Sequence, residues 1–533
     1  MSFRSVTALD LMFLVFGALS PPAAAQTTTR ISVDSAGEPA DLGGQSAAIS
    51  ADGRFIAYHS RSTNLVPGDS NGVEDIFCYD LLTGLTSRLS VNAAGVQGDR
   101  YSWNPSISGD GRYVAFESSA TNLVPGDTNL ATDVFVHDRQ TGLISRASVD
   151  SHGLQASGSS FGAAISADGR SVAFTSEATD LVSGDANASV DVFVHNRLTG
   201  QTSRVSVDSA GVAGNHTSQS PSISADGQIV SFQSLASNLV PGDTNAVYDV
   251  FVHDRLTGQT IRISVDSAGM QGNQASTFPT ISASGGHVAF SSLASNFTPG
   301  DTNNLDDVFV HDLLTAQTSC VSLSPAGAVG NQYSIVSDIS ADGSSVVFFS
   351  ASSNLLVWDT NDKSDVLVHD RQSGHTSRVS VNSSGGQGNS ASFTSTRSRK
   401  ISSDGRFVIF ESLSGNFDHH DTNGSSDIFL RDRGAPNLAR SGRCPGAITL
   451  TIVNATSGGR LAIACGSAGR LVRAASPCAG LLLSVSPPAK TTIHLASGAG
   501  TLVLHLSAPA GICGSSVQAV DVTTCAASNV IVL

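Results

Sequence analysis

Short apolar stretches of five or six residues recur along the chain, separated by segments rich in Gly, Asp, Ser and Thr. One unit shows the pattern. "NPSIS" (104–108) leads through "GDGR" into "YVAFES" (113–118), and a long polar loop then leads to "DVFVHD" (133–138). "RQTG" turns the chain into "ISRASV" (144–149). The Asp-Gly pair supplies the positive φ that a tight hairpin requires. The near-continuous apolar runs suit strands covered on both faces, and no 3.6-residue period appears in the unit. The prediction is four strands, a to d, and no helix.

The unit repeats. "ISADGR" (49–54) returns at 107, 165, 223, 281, 339 and 401, a step of 58 residues five times and then 62. Seven four-stranded units predict a seven-bladed β-propeller, because a linear stack would leave two open sheet edges. The ends support closure. "TTRISV" (28–33) is a strand d without its own a, b and c, and Arg30 lies in register with Arg88, Arg146, Arg204, Arg262 and Arg378. The seventh unit has only a degraded strand d, so the N-terminal strand is expected to complete its blade. Arg440 is also in register, which keeps the C-terminal side open as the alternative.

Composition places the ring outside the cytoplasm. Residues 1–25 read as a signal peptide, with Arg4, the apolar "LMFLVFGAL" and an A-x-A site ending at Ala25. No later run is long and apolar enough to span a bilayer. A net charge of −15 with few lysines excludes nucleic acid as a partner. Five of seven cysteines fall in the last ninety residues without a paired zinc pattern, which favours disulfides in an oxidising compartment. The expected domains are the signal peptide, the propeller over 26–435, and a small β-sandwich-like domain over 436–533. In the last, Cys513 and Cys525 bracket a plausible hairpin and are the preferred disulfide; the pairing of Cys444, Cys465 and Cys478 stays open.

The pairing of "ISGDGRYVAFES" with "DVFVHD" resembles the repeats of TolB-like, WD-repeat-like propellers over roughly 28–433. The resemblance implies the fold and carries little about function. The chain leaves no room for the α/β domain that precedes the propeller of TolB, so the role of TolB and its envelope partners are not implied. "CPGAITLTI" and "CGSSVQAVDVTTCAASN" resemble a cysteine-bearing terminal module of secreted bacterial proteins, which implies no activity.

Each b–c loop carries D-x-N-x-x-x-D: Asp69, Asn71 and Asp75; Asp127, Asn129 and Asp133; Asp185, Asn187 and Asp191; Asp243, Asn245 and Asp249; Asp301, Asn303 and Asp307; Asp359, Asn361 and Asp365; Asp421, Asn423 and Asp427. Calcium takes six to eight oxygens, of which each loop offers three side-chain donors. The alternative is a turn held by Asx hydrogen bonds. Seven loops put fourteen carboxylates on one face, and none carries a repeated Lys or Arg within it, so a neutralising ion is expected as readily as a turn.

The repeated His137, His195, His253, His311 and His369 of strand c read as packed or hydrogen-bonded residues rather than metal ligands. Asp138-Arg139 and its equivalents read as structural. No G-x-S-x-G elbow occurs, and catalysis needs one blade unlike the rest. The departures from symmetry are Ser284, Trp358 with Lys363, and His419 with His420. The expected function is a monomeric, secreted or periplasmic binding or scaffold protein with a protein or glycan ligand. Its ligand face is expected to be formed by the b–c and d–a loops, with calcium stiffening them. The alternatives are a carbohydrate-active enzyme with its site at the channel mouth, and a structural cell-surface protein.

Overall fold

The computed structural model describes residues 26–434 except 397 and 419, and beyond them the backbone of strands between Asn437 and Val532. No helix occurs among the described residues. Residues 26–434 form seven four-stranded antiparallel sheets. In the second blade the strands are Ser102–Ile107, Tyr113–Ser118, Asp133–Asp138 and Leu143–Arg146, within three residues of the ranges expected. The seventh sheet is closed by the N-terminus. Thr27–Arg30 pairs antiparallel with Asp427–Asp432, with Arg30 opposite Phe429. Arg440 lies instead in Asn437–Gly442, which pairs with Gly446–Val453 outside the ring.

Strands b and c are apolar on both sides because each blade packs against two neighbours. Val114 and Phe116 join a cluster with Ala57, Ile76 and Leu89 of the first blade. Ala115, between them, joins a cluster with Val172 and Phe174 of the third. The period-two alternation of strand geometry thus feeds two interfaces from one strand. One such cluster fills each of the seven blade–blade interfaces, the seventh joining Ile409 and Ile428 to Ile49 and Tyr58. A Phe–Phe pair across strands b and c recurs in most blades, as in Phe174–Phe193 with centroids 5.9 Å apart.

The a–b turns need glycine twice over. Gly111 has φ +70°, and an added Cβ there would lie 2.2 Å from the ring of Phe55 in the preceding blade. Beside these turns, backbone bonds run from blade to blade, from Ala51 N to Gly109 O, Gly109 N to Ala167 O, and finally Ser403 N to Ala51 O, which joins the last blade to the first.

The C-terminal strands pair antiparallel, with Gly446–Val453 between Asn437–Gly442 and Thr501–Ala508, and Arg460–Gly466 between Thr492–Leu495 and Ser516–Asp521. The expected Cys513–Cys525 disulfide and the signal peptide lie outside the described residues.

Candidate functional site

The b–c and d–a loops emerge together and interlock. In all seven blades the loop asparagine donates to a carbonyl of the following d–a loop: Asn71 to Gly98, Asn129 to Ala156, Asn187 to Gly214, Asn245 to Gly272, Asn303 to Gly330, Asn361 to Gly388 and Asn423 to Ala40. The d–a loop then grips the next blade. Asp99 accepts from Thr121 N at 2.8 Å, and Asn122 donates to Gln97 O at 2.9 Å. The loops therefore form a collar that fastens neighbouring blades, and the asparagine is the tie.

The carboxylates are also bound into this collar. The second aspartate is buried in every blade, and its Oδ1 accepts from a strand d serine, as Ser148 donates to Asp133 and Ser206 to Asp191, both at 2.6 Å. The counter-charge comes from outside the loop. The strand d arginine of the same blade lies against both aspartates: Arg88 against Asp69 and Asp75, Arg146 against Asp127 and Asp133, Arg204 against Asp185 and Asp191, Arg262 against Asp243 and Asp249, Arg378 against Asp359 and Asp365. In the seventh blade Arg30 takes this place, within 3.4 Å of Asp421 and Asp427 and 3.2 Å of Asp418. Several of these approaches, those of Arg30 and Arg146 among them, lack hydrogen-bond alignment, so the contact is Coulombic. The signal was available for five of the six, because Arg88, Arg146, Arg204, Arg262 and Arg378 each fall 19 residues after the first aspartate of their loop; in the seventh blade the same spacing points to Arg440, and Arg30 takes the place instead.

The fifth blade departs. Cys320 stands in the arginine register, opposite Phe309 as Arg262 stands opposite Phe251. Asp301 and Asp307 are buried there with no arginine or lysine in an ion pair among the described residues. Burial, with Asp301 and Asp306 adding repulsion, pushes Asp307 up to about 6. Burial likewise pushes the Cys320 thiol up to about 12. Among the described residues no group of three or more His, Cys, Asp or Glu is arranged to hold a metal ion.

The strand c histidines stitch blades together. His195 Nδ1 lies 2.8 Å from Thr202 Oγ1, which donates to Val149 O of the preceding d–a segment. Burial lowers the pKa of all five histidines, that of His369 to about 4. Arg139 donates to Gly111 O at 2.7 Å, and Asp138 pairs with Arg112, both within the a–b and c–d turns. Trp358 stands 79 % exposed beside Val357. His420 lies 3.4 Å from Asp418, and His419 is outside the described residues. Leucines Leu82, Leu198, Leu256 and Leu314 stand exposed on the c–d turns and were not singled out in the sequence.

Asymmetry concentrates in the channel. Strand a carries a bulge in each of the first six blades, and the freed N–H is satisfied from strand b of the preceding blade in several of them. Glu117 accepts from Gly162 N, Gln233 from Phe278 N, and Glu411 from Ser46 N. In the seventh blade strand a shrinks to Ser392–Phe393. The chain rejoins strand b only at Ile401, opposite Val408. The four extra residues of the 62-residue step are absorbed between these points, and this detour carries Arg399 and Lys400. Lys400 is 1 % exposed and donates to Ala47 O and Ser398 Oγ. Burial lowers the Lys400 ammonium to about 8 and raises Glu411 to about 7, each resisted by the other's charge.

No family model matches the chain, and no curated protein matches it. Solved structures are similar. TolB from Acinetobacter baumannii matches 62 % of this chain at 15 % identity with a TM-score of 0.35, and the chain spans 64 % of that protein's length. The RRP9 WD40 repeats match 77 % of this chain and 98 % of their own at 11 % identity and a TM-score of 0.39. The GH74 xyloglucanase from Xanthomonas campestris matches 93 % of this chain and 74 % of its own at 8 % identity and a TM-score of 0.39. At such identities the likeness concerns the fold alone. Seven four-stranded sheets, each with the a–b hairpin and D-[IV]-[FL]-[CVL] strand c and the last closed by the N-terminal strand, make residues 26–434 a seven-bladed β-propeller.

Proposed function

We propose that the protein is an exported, periplasmic or secreted binding or scaffold protein that presents its b–c and d–a loop collar to a protein or glycan ligand. The observation that carries this reading is the collar itself. Loops fastened to each other in all seven blades cost little ordering entropy on binding, which is how a rigid scaffold turns loop tips into a recognition surface. Exposed apolar side chains stand on these loops, with Val96, Leu154, Val212 and Met270 on four successive d–a hairpins and Trp358 on a b–c loop. An exposed tryptophan supplies a flat surface for a sugar ring or a partner's apolar side chain. No helix among the described residues is long and apolar enough to cross a membrane.

Calcium enters this proposal at the fifth blade. Asp301, Asn303 and Asp307 lack the guanidinium that sits beside the other six pairs, and backbone carbonyls and water would have to complete the ligand set. The binding reading is tested by a glycan array and an extract pull-down with the full chain, each repeated with Trp358→Ala and Met270→Ser. Ligand capture weakened about ten-fold by either loop change supports the collar as the binding face. Capture indifferent to both changes places recognition elsewhere.

A further inference from the structure

We propose that the central channel holds a binding site for a small oxyanion, a carboxylate or a phosphate, built around Arg399. A cavity of about 60 Å³ lies among the inner strands, lined by Ser106, Ser222, Thr280, Asp338, Ser398 and Arg399 together with backbone and apolar groups. Its size suits a compact oxyanion rather than a sugar ring.

Among the described residues, the other charged groups in this part of the channel have partners. Lys400 donates to Ala47 O and Ser398 Oγ and faces the charge of Glu411. Glu411 accepts from Ser46 N. Asp338 accepts from Ile339 N at 2.8 Å, from Lys400 N at 2.6 Å and from Ile401 N at 3.1 Å, and Thr280 Oγ1 lies 3.3 Å from it. Its oxygens are thus occupied by donors other than Arg399, and it balances that charge only through space. The Arg399 guanidinium makes no hydrogen bond among the described residues, and its Nη1 is buried without a partner.

A buried unsatisfied donor on a cation carries its full desolvation penalty. A planar guanidinium fork is the group best matched to two oxygens of a carboxylate or phosphate. The cavity wall adds donors. Ser106 Oγ accepts from Ile165 N and Ser222 Oγ accepts from Ile281 N, so each hydroxyl keeps its own proton to give. The site exists in one copy because only the seventh unit has the extra residues that bring an arginine to the axis.

The test is thermal melting and calorimetry of the full chain with inorganic phosphate or acetate, against chloride at equal ionic strength. Wild type should show a saturable rise in Tm and measurable heat with at least one of the two, and which of them does so identifies the class of oxyanion. Arg399→Met should weaken the apparent affinity about ten-fold or more, and Ser222→Ala, which keeps the guanidinium, about three-fold. Should Arg399→Met fail to fold, Ser222→Ala carries the comparison. No response beyond chloride in wild type, or an unchanged affinity in the variant that folds, overturns the site.

Discussion

The fifth blade and its six companions share the same two aspartates, the same asparagine tie and the same serine, and differ in one residue of strand d. Where the six have arginine, the fifth has Cys320. The asparagine still donates to Gly330 O at 2.9 Å, and Ser322 still donates to Asp307 at 2.7 Å. The collar therefore holds its geometry through neutral hydrogen bonds, and the arginine governs the charge state of what the collar encloses. The fifth loop shows what these loops are without their cation: two buried carboxylates whose desolvation is offset only by neutral donors.

The largest effect is expected where one guanidinium does most. Arg30→Ala removes the cation facing Asp418, Asp421 and Asp427 on the very strand that closes the ring. It should cost about 3–5 kcal/mol, since removing one partner of a buried pair strands the others. Urea unfolding at neutral pH measures this, and a loss below about 1 kcal/mol would mean the charge is dispensable even at the clasp. Next comes Arg204→Cys, which gives the third blade the composition of the fifth. A loss of about 2–3 kcal/mol is expected in the same experiment. If the loss is negligible, the two kinds of blade are energetically alike and the comparison fails.

The reverse change, Cys320→Arg, should stabilise by about 1–3 kcal/mol at neutral pH. Burial holds Asp307 above its ordinary value, at about 6. Between the unfolded value and about 6 the native state binds more protons, so stability falls as pH rises through that window, and the penalty is complete above it. An added guanidinium favours the charged carboxylate. The gain from Cys320→Arg should therefore be largest at neutral pH and shrink as pH drops below about 5. Urea midpoints across this range provide the check, and a pH-independent gain would assign the stabilisation to packing. The smallest effect is that of calcium. Melting in millimolar calcium against chelator should raise the midpoint by a few degrees through the fifth loop, and Cys320→Arg should abolish the rise. A wild-type shift of less than about one degree removes calcium from the proposal.

Much of this was legible in the chain. The hairpin motif "ISADGR" and the apolar runs marked the strands, and the unpaired "TTRISV" marked the closure. The partner of the loop carboxylates was harder to see. Each arginine lies outside the loop, and Arg30 lies some 390 residues from the loop it serves, so a search within the loops finds no repeated cation. The 62-residue step announced four extra residues without showing that they replace the bulge of strand a. Nor does any local pattern tell that Glu117 and Gln233 satisfy the backbone of the next blade, because that contact depends on the angle at which two sheets meet.

The sequence by itself determined the strands, their number and the seven-fold repeat, and left two candidates for the strand that closes the ring. Those follow from period-two hydrophobicity and turn chemistry, which act over a few residues and recur every 58. The tertiary structure alone decided what stands beside each charge: arginine against six aspartate pairs, none against that of the fifth blade, and an Arg399 guanidinium without a hydrogen-bond partner among the described residues at the axis. These depend on the ring being closed, because only closure brings Arg30 to Asp427 and folds the detour of the seventh blade into the channel.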